Sequence, residues 1–141
     1  MSLGYSSYDA ARAFDKAVRA HRREAFLRRL RRRCVECLRL TVHDAPPRVT
    51  GRGVREIPVD AINATVEPGR ARSFDRWFRP AGDVARRRWE RLWLAAARGE
   101  TLPPISVVKA GDGYAVLDGH HRVSVARARG ALTIDAVVAA A

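Results

Sequence analysis

Cysteine is scarce in this 141-residue sequence, with Cys34 and Cys37 the only two. A disulfide framework is thereby excluded, and a reducing cytoplasm is the expected compartment. No apolar run approaches the ~18 residues of a membrane span. Residues 1–10 lack the basic, apolar, then small-residue order of a cleaved secretory signal, so no membrane partner is expected. Acidic residues are few, 15 against 27 Lys+Arg, a formal charge of +12. Lysine is nearly missing: Lys16 and Lys109 are the only two, so arginine carries the charge throughout. What is present is 47% hydrophobic residues, enough to bury a core and to exclude disorder of the whole chain. The length fits one compact domain with a helical extension.

The charge is unevenly placed. Residues 1–52 hold 13 basic and 5 acidic side chains, and the excess is densest at Arg28, Arg29, Arg31, Arg32 and Arg33. Such a run attracts phosphate backbones, which makes these arginines the candidate DNA or RNA contact, with salt-sensitive binding. The competing reading is an arginine bias in composition alone. Within the same segment, Cys34 and Cys37 have metal-knuckle spacing. They lie in a helical pattern without a second cysteine pair, so ordinary core use is expected and no metal site is assigned, even with His43 nearby.

Residues 8–42 read as helix. Ala11, Phe14, Val18, His21 and Ala25 form one stripe; Leu27, Leu30, Cys34 and Leu38 form another. Val18 and Cys34 are about 160° apart at 100° per residue, so this is either two helices or one whose buried face changes partner. This segment is the candidate surface for a homo-oligomer. Ala45-Pro46-Pro47 ends the pattern, leaving 1–52 as a basic helical extension and linker and 53–141 as the main unit.

In that unit, Val54, Ile57, Val59 and Ile62 suggest an extended entry, and Glu67-Pro68-Gly69 a turn. Phe74, Trp77 and Phe78 mark one face of a short helix. Asp83 is placed to cap a helix through Arg98, with Ala85, Trp89, Leu92, Trp93 and Ala96 inward and Gly99 at its end. Arg86, Arg87, Arg88 and Arg91 then occupy the outer surface. Ile105–Lys109 and Tyr114–Leu117 flank a glycine turn as a hairpin, Val123–Ala128 start a helix that Gly130 stops, and Leu132–Val138 close as a strand.

The strand, the Asp118-Gly119-His120-His121-Arg122 turn and the helix after it make an anion site. Backbone N–H groups of a first helical turn converge there with the helix dipole. Gly119 allows close backbone approach, Arg122 can fork two phosphate oxygens, and His120 and His121 add imidazoles near neutral pH. Asp118 is the carboxylate beside the phosphates, able to accept a hydroxyl proton. A helix cap with two surface histidines is the bland alternative.

Residues 54–138 resemble the ParB/sulfiredoxin superfamily. The carriers are Ile57-Pro58-Val59-Asp60-Ala61-Ile62, Arg72-Ser73-Phe74-Asp75, Gly99-Glu100-Thr101-Leu102-Pro103-Pro104-Ile105, the hairpin, and Asp118 to Ala126 with a final strand. The resemblance implies a small α/β (α+β) mixed-sheet domain that binds a nucleotide, with the turn on its phosphates. Sulfiredoxins place a cysteine where His120 stands, so their reductase chemistry is not expected. ParB proteins, which bind and hydrolyse CTP, have Glu and Arg where His120 and His121 stand, and continue into a helix-turn-helix domain. The turn is similar to that of the superfamily's free serine kinases, which implies catalytic roles for Asp118 and His120 with Glu67 as the earlier carboxylate. Arg70, Arg72 and Arg79 resemble in position the arginines that ParB-type domains offer to a triphosphate. The expected ligand is therefore CTP, ATP or ADP with Mg²⁺, and the expected chemistry is nucleotide hydrolysis or phosphoryl transfer. A regulatory nucleic-acid module and a non-catalytic protein-interaction module are the alternatives from other classes.

Overall fold

The structure is a computed structural model and describes residues 4–30, 39–40 and 53–139, leaving aside the side chains of residues 28–30 and 39. Its elements are α1 (Ser7–Leu30), β1 (Arg39–Leu40), β2 (Arg55–Pro58), a 3₁₀ turn (Val59–Ala61), β3 (Ile62–Thr65) and α2 (Pro68–Ala71). Then follow α3 (Arg86–Ala97), β4 (Ile105–Ala110), β5 (Gly113–Asp118), α4 (His120–Ala128) and β6 (Thr133–Ala139). The fold is mixed α+β, as the sequence pattern leads one to expect. One sheet runs in the order β1-β3-β5-β4-β6-β2. β5 pairs antiparallel with β4 and parallel with β3, and β6 pairs parallel with β4 and antiparallel with β2.

The hairpin forms where the β-branched runs place it. Within β4, Val107 and Val108 are both fully buried yet feed different apolar clusters, because successive strand residues face opposite sides. α4 links the layers. Its Val123 joins the sheet cluster of Ile57, Ile62, Ile105 and Val107, while Val125 joins a helical cluster of Phe14, Val18, Trp89 and Trp93. In α1 the buried residues Ala10, Phe14 and Val18 recur every four positions, which puts one stripe against α3. Phe14 meets Trp89 edge-on at 5.4 Å.

A buried polar bond joins α3 to α4 within this packing. The Trp89 indole N–H donates to Ser124 Oγ at 2.8 Å, both residues being buried. Ser124→Ala is expected to lose about 1–3 kcal/mol in urea unfolding, because the indole N–H is left buried without an acceptor. A variant as stable as wild type would mean that water supplies the acceptor.

Several expectations need correction. Arg39–Leu40 is a strand parallel to β3 rather than helix, and Leu27 is exposed rather than part of a buried stripe. Glu67-Pro68-Gly69 opens a one-turn helix, since proline suits a first helical position. α3 starts at Arg86 without a side-chain cap; Asp83 instead lends its carbonyl oxygen to the Arg86 N–H at 3.1 Å. At its other end Gly99, at φ 78°, closes the helix as expected, with Glu100 N–H on Ala95 O.

Residues 74–78 are not helical. Asp75, 3% exposed, organises them: its Oδ1 accepts the Trp77 and Arg79 N–H groups, each at 2.9 Å. Its Oδ2 meets His21 Nδ1 of α1 at 3.2 Å. A carboxylate drawing two nearby amides inward competes with helix formation. The loop turns through Phe78, fully buried at φ 59°.

No helix among the described residues is long and apolar enough to cross a membrane.

Candidate phosphate-binding cleft

β5 ends at Asp118 and α4 begins at His120, with Gly119 between them at φ 107° in the N-cap position. No side chain caps the helix. The N–H groups of its first turn therefore lack helical partners where a polar cleft of about 250 Å³ opens. Glu67, Arg70, Asp118, Gly119, His120, His121 and Arg122 all line that cleft, so the structure brings together most of the residues expected there. Arg88 also lines it, from α3. The helical pattern places Arg88 on the outer surface of α3, and the structure turns it toward the cleft. Its helical neighbour Leu92, four residues on, was the available clue, because both lie on the face toward the cleft.

The histidines are not surface groups. His120 is 5% and His121 6% exposed, against the expectation of imidazoles titrating near neutrality. Burial, reinforced by the charge of Arg70, pushes both down to about 4. Both rings are neutral at pH 7. His120 is also fixed: its Nε2 lies 2.6 Å from Thr65 Oγ1, which accepts the Glu67 N–H at 3.0 Å and donates to Val116 O at 3.4 Å. Thr65 was not anticipated from sequence; its place at the end of β3, two residues before Glu67, is the signal. His121 meets the Phe74 ring edge-on at 5.3 Å.

Arg122 is committed elsewhere. Its Nη1 donates to the carbonyl oxygens of Pro103 and Pro104 at 2.6 and 2.8 Å, and its Nη2 meets Asp118 Oδ2 at 3.2 Å. The expected phosphate fork is thus a clamp that holds the Pro103-Pro104 entry of β4 against the turn. Asp118, with 75% of its side chain exposed, remains open to solvent.

The remaining arginines divide. Arg72 lines an adjoining hollow of about 260 Å³ that shares Arg70 and His121 with the cleft. Arg79 is not at the cleft. It donates to Ala20 O at 3.3 Å and stacks over Trp77 at 4.7 Å, on the α1 side of the molecule. The loop that Asp75 organises turns it away. Trp77 itself carries Arg76 at 4.5 Å as well, a packing role for its ring. Arg28 and Arg29 end α1 with side chains outside the described residues, and Arg31, Arg32, Arg33, Cys34, Cys37 and His43 lie outside them entirely. Among the described residues no cluster of three His, Cys, Asp or Glu could hold a metal.

No family model matches the chain, and no curated protein matches it. Among solved structures it is similar to sulfiredoxin from Arabidopsis thaliana. The two share 22% identity over 61% of this chain and 83% of that one, with a TM-score of 0.43.

Proposed function

We propose that this protein binds a nucleotide by its phosphates in the cleft at the start of α4. The observation that carries the reading is the convergence of Arg70, Arg88 and the uncapped first turn of α4 on one polar cleft. Two guanidinium groups and a helix N-terminus offer phosphate both charge and N–H donors. The cleft suits the phosphates, and the adjoining hollow beside Phe74 and Trp89 offers an apolar wall for the rest of the ligand.

In this reading Arg70 and Arg88 contact the phosphates, and Arg122 acts by holding the turn in shape. Mg²⁺ bound with the nucleotide is compatible with Glu67 and Asp118. They are the cleft's two carboxylates, and Mg²⁺ commonly uses one or two carboxylates with substrate phosphates. The chemistry that fits such a site is nucleotide hydrolysis or phosphoryl transfer, which depends on positioning and charge stabilisation. Asp118 is its solvent-open carboxylate base. His120, hydrogen-bonded to Thr65, and His121, packed on Phe74, are neutral at pH 7 and shape the floor.

The test is calorimetric titration with CTP, ATP and ADP, with and without Mg²⁺. Arg88→Ala is exposed at the rim and is expected to weaken binding at least tenfold, about 1.4 kcal/mol, with little change in stability. Arg70→Ala should behave alike. Binding of none of the three nucleotides, or binding indifferent to both arginines, overturns the reading.

A further inference from the structure

A second cavity, of about 590 Å³, lies at the other end of α4, between that helix, α1 and the 3₁₀ turn. Its charged lining is unbalanced: Lys16, Arg79, Arg127 and Arg129 against Asp60 alone. Its other lining includes Trp77, the buried Phe78 and Trp93, and the small side chains of α1. None of this belongs to the phosphate cleft, which uses the first turn of the same helix.

Arg127 is the centre of the imbalance. Its Nη2 donates to the carbonyl oxygens of Val59 and Ile62 at 3.2 and 2.8 Å, while its Nε is buried with no acceptor. The carboxylate closest to pairing with it, Asp60, is 4.0 Å away and has 97% of its side chain in solvent. Burial pushes the guanidinium down from its ordinary value, and Asp60 and Asp75 pull it back only in part. A half-buried cation whose nearest carboxylate is solvated leaves positive potential in the cavity wall. Lys16 adds to it: exposed on α1, it has no ion pair or hydrogen bond among the described residues. The last carbonyls of α4 do not oppose an anion strongly. Those of Ala126 and Arg127 are already taken by the N–H groups of Ala131 and Gly130, at 2.9 and 3.0 Å.

From this we infer that the cavity is a second ligand site, which takes a small organic anion carrying a ring. The anionic group would face Lys16, Arg127 and Arg129, and the ring would lie against Trp77 and the Ala13, Ala17 and Ala20 wall of α1. Both demands are met by one chemical class, an aromatic carboxylate, sulfonate or phosphate.

The probe is 8-anilinonaphthalene-1-sulfonate, an aromatic anion, compared with uncharged N-phenyl-1-naphthylamine on the full chain. The expected result is saturable one-to-one binding of the anion, at least tenfold tighter than its neutral counterpart and weakened by salt. Lys16→Glu should weaken it at least tenfold and Lys16→Gln by less, with thermal melts confirming that both variants fold. Arg88→Ala, in the phosphate cleft, should leave dye binding unchanged, which keeps the two sites distinguishable. The inference is overturned by absence of binding, by equal binding of both dyes, or by indifference to Lys16→Glu. Loss of binding in Arg88→Ala would place the dye in the cleft and overturn it as well.

Discussion

Gly119→Ala is expected to destabilise the protein by roughly 2–5 kcal/mol, measured by urea unfolding. Two separate costs add. The backbone at φ 107° is one that an L residue adopts at a penalty of about 1–2 kcal/mol. A Cβ there would also sit 2.5 Å from Ile105 Cγ2 and 2.9 Å from Ile105 Cβ, and Ile105 is fully buried. Forcing a methyl into a packed core costs about 1–3 kcal/mol more. Against a total stability of roughly 5–15 kcal/mol, the turn is a point where one carbon decides folding. The clash can be separated from the backbone cost by pairing Gly119→Ala with Ile105→Ala. The double variant should be at least about 1 kcal/mol more stable than the two single losses predict, since the residues touch. A Gly119→Ala protein within 1 kcal/mol of wild type would refute the close approach of β5 to β4 at this turn. The same approach serves the site, because it brings the Pro103 and Pro104 carbonyls within reach of Arg122.

That clamp marks where sequence reading stops. The hairpin, α4 and the closing strand are legible because each rests on local causes: β-branched runs, a glycine turn, a helix ended by glycine. The cleft is legible to the same extent, since Asp118 through Arg122 are neighbours in the chain and a strand–turn–helix order puts them together. What Arg122 does with its donors is not local. Its partners lie 18 and 19 residues earlier, and a forked cation reads identically whether it meets phosphate or carbonyl oxygen. Arg79 fails for a related reason. Phe74, Trp77 and Phe78 have helical spacing, but Asp75 pulls two amides onto its own carboxylate and Phe78 takes a left-handed turn. The loop then carries Arg79 toward α1 instead of the cleft. The burial of His120 and His121 depends on Phe74 and Thr65, residues separated from them by more than forty positions. Nothing adjacent in sequence distinguishes a buried histidine at a helix start from a solvated one.

The burial has a second large consequence, a loss of stability in mild acid. An unfolded histidine titrates near 6.5, and in the folded protein both cleft histidines are held down to about 4. Between those values the unfolded chain binds protons that the folded chain refuses, so stability rises with pH across the window. Stability is complete above about pH 6.5 and is lost as pH falls toward 4. Each histidine contributes on the order of 3 kcal/mol over that interval. His120 is partly cushioned, because Thr65 can accept from a protonated Nε2 while keeping its own bond to Val116 O. Urea unfolding at pH 7, 6, 5 and 4 should therefore show a fall of several kcal/mol, and proton-resolved imidazole titration should find both rings neutral down to about pH 5. Rings that titrate above pH 6 would contradict the burial. Nucleotide binding should move the same equilibrium in the opposite direction. Phosphate beside Arg70 and Arg88 offsets the positive charge that reinforces burial in holding the rings neutral, so binding below about pH 6 is expected to take up protons. Calorimetry in two buffers of different ionisation enthalpy measures that uptake; none at pH 5, with binding intact, would put the phosphates away from the histidines.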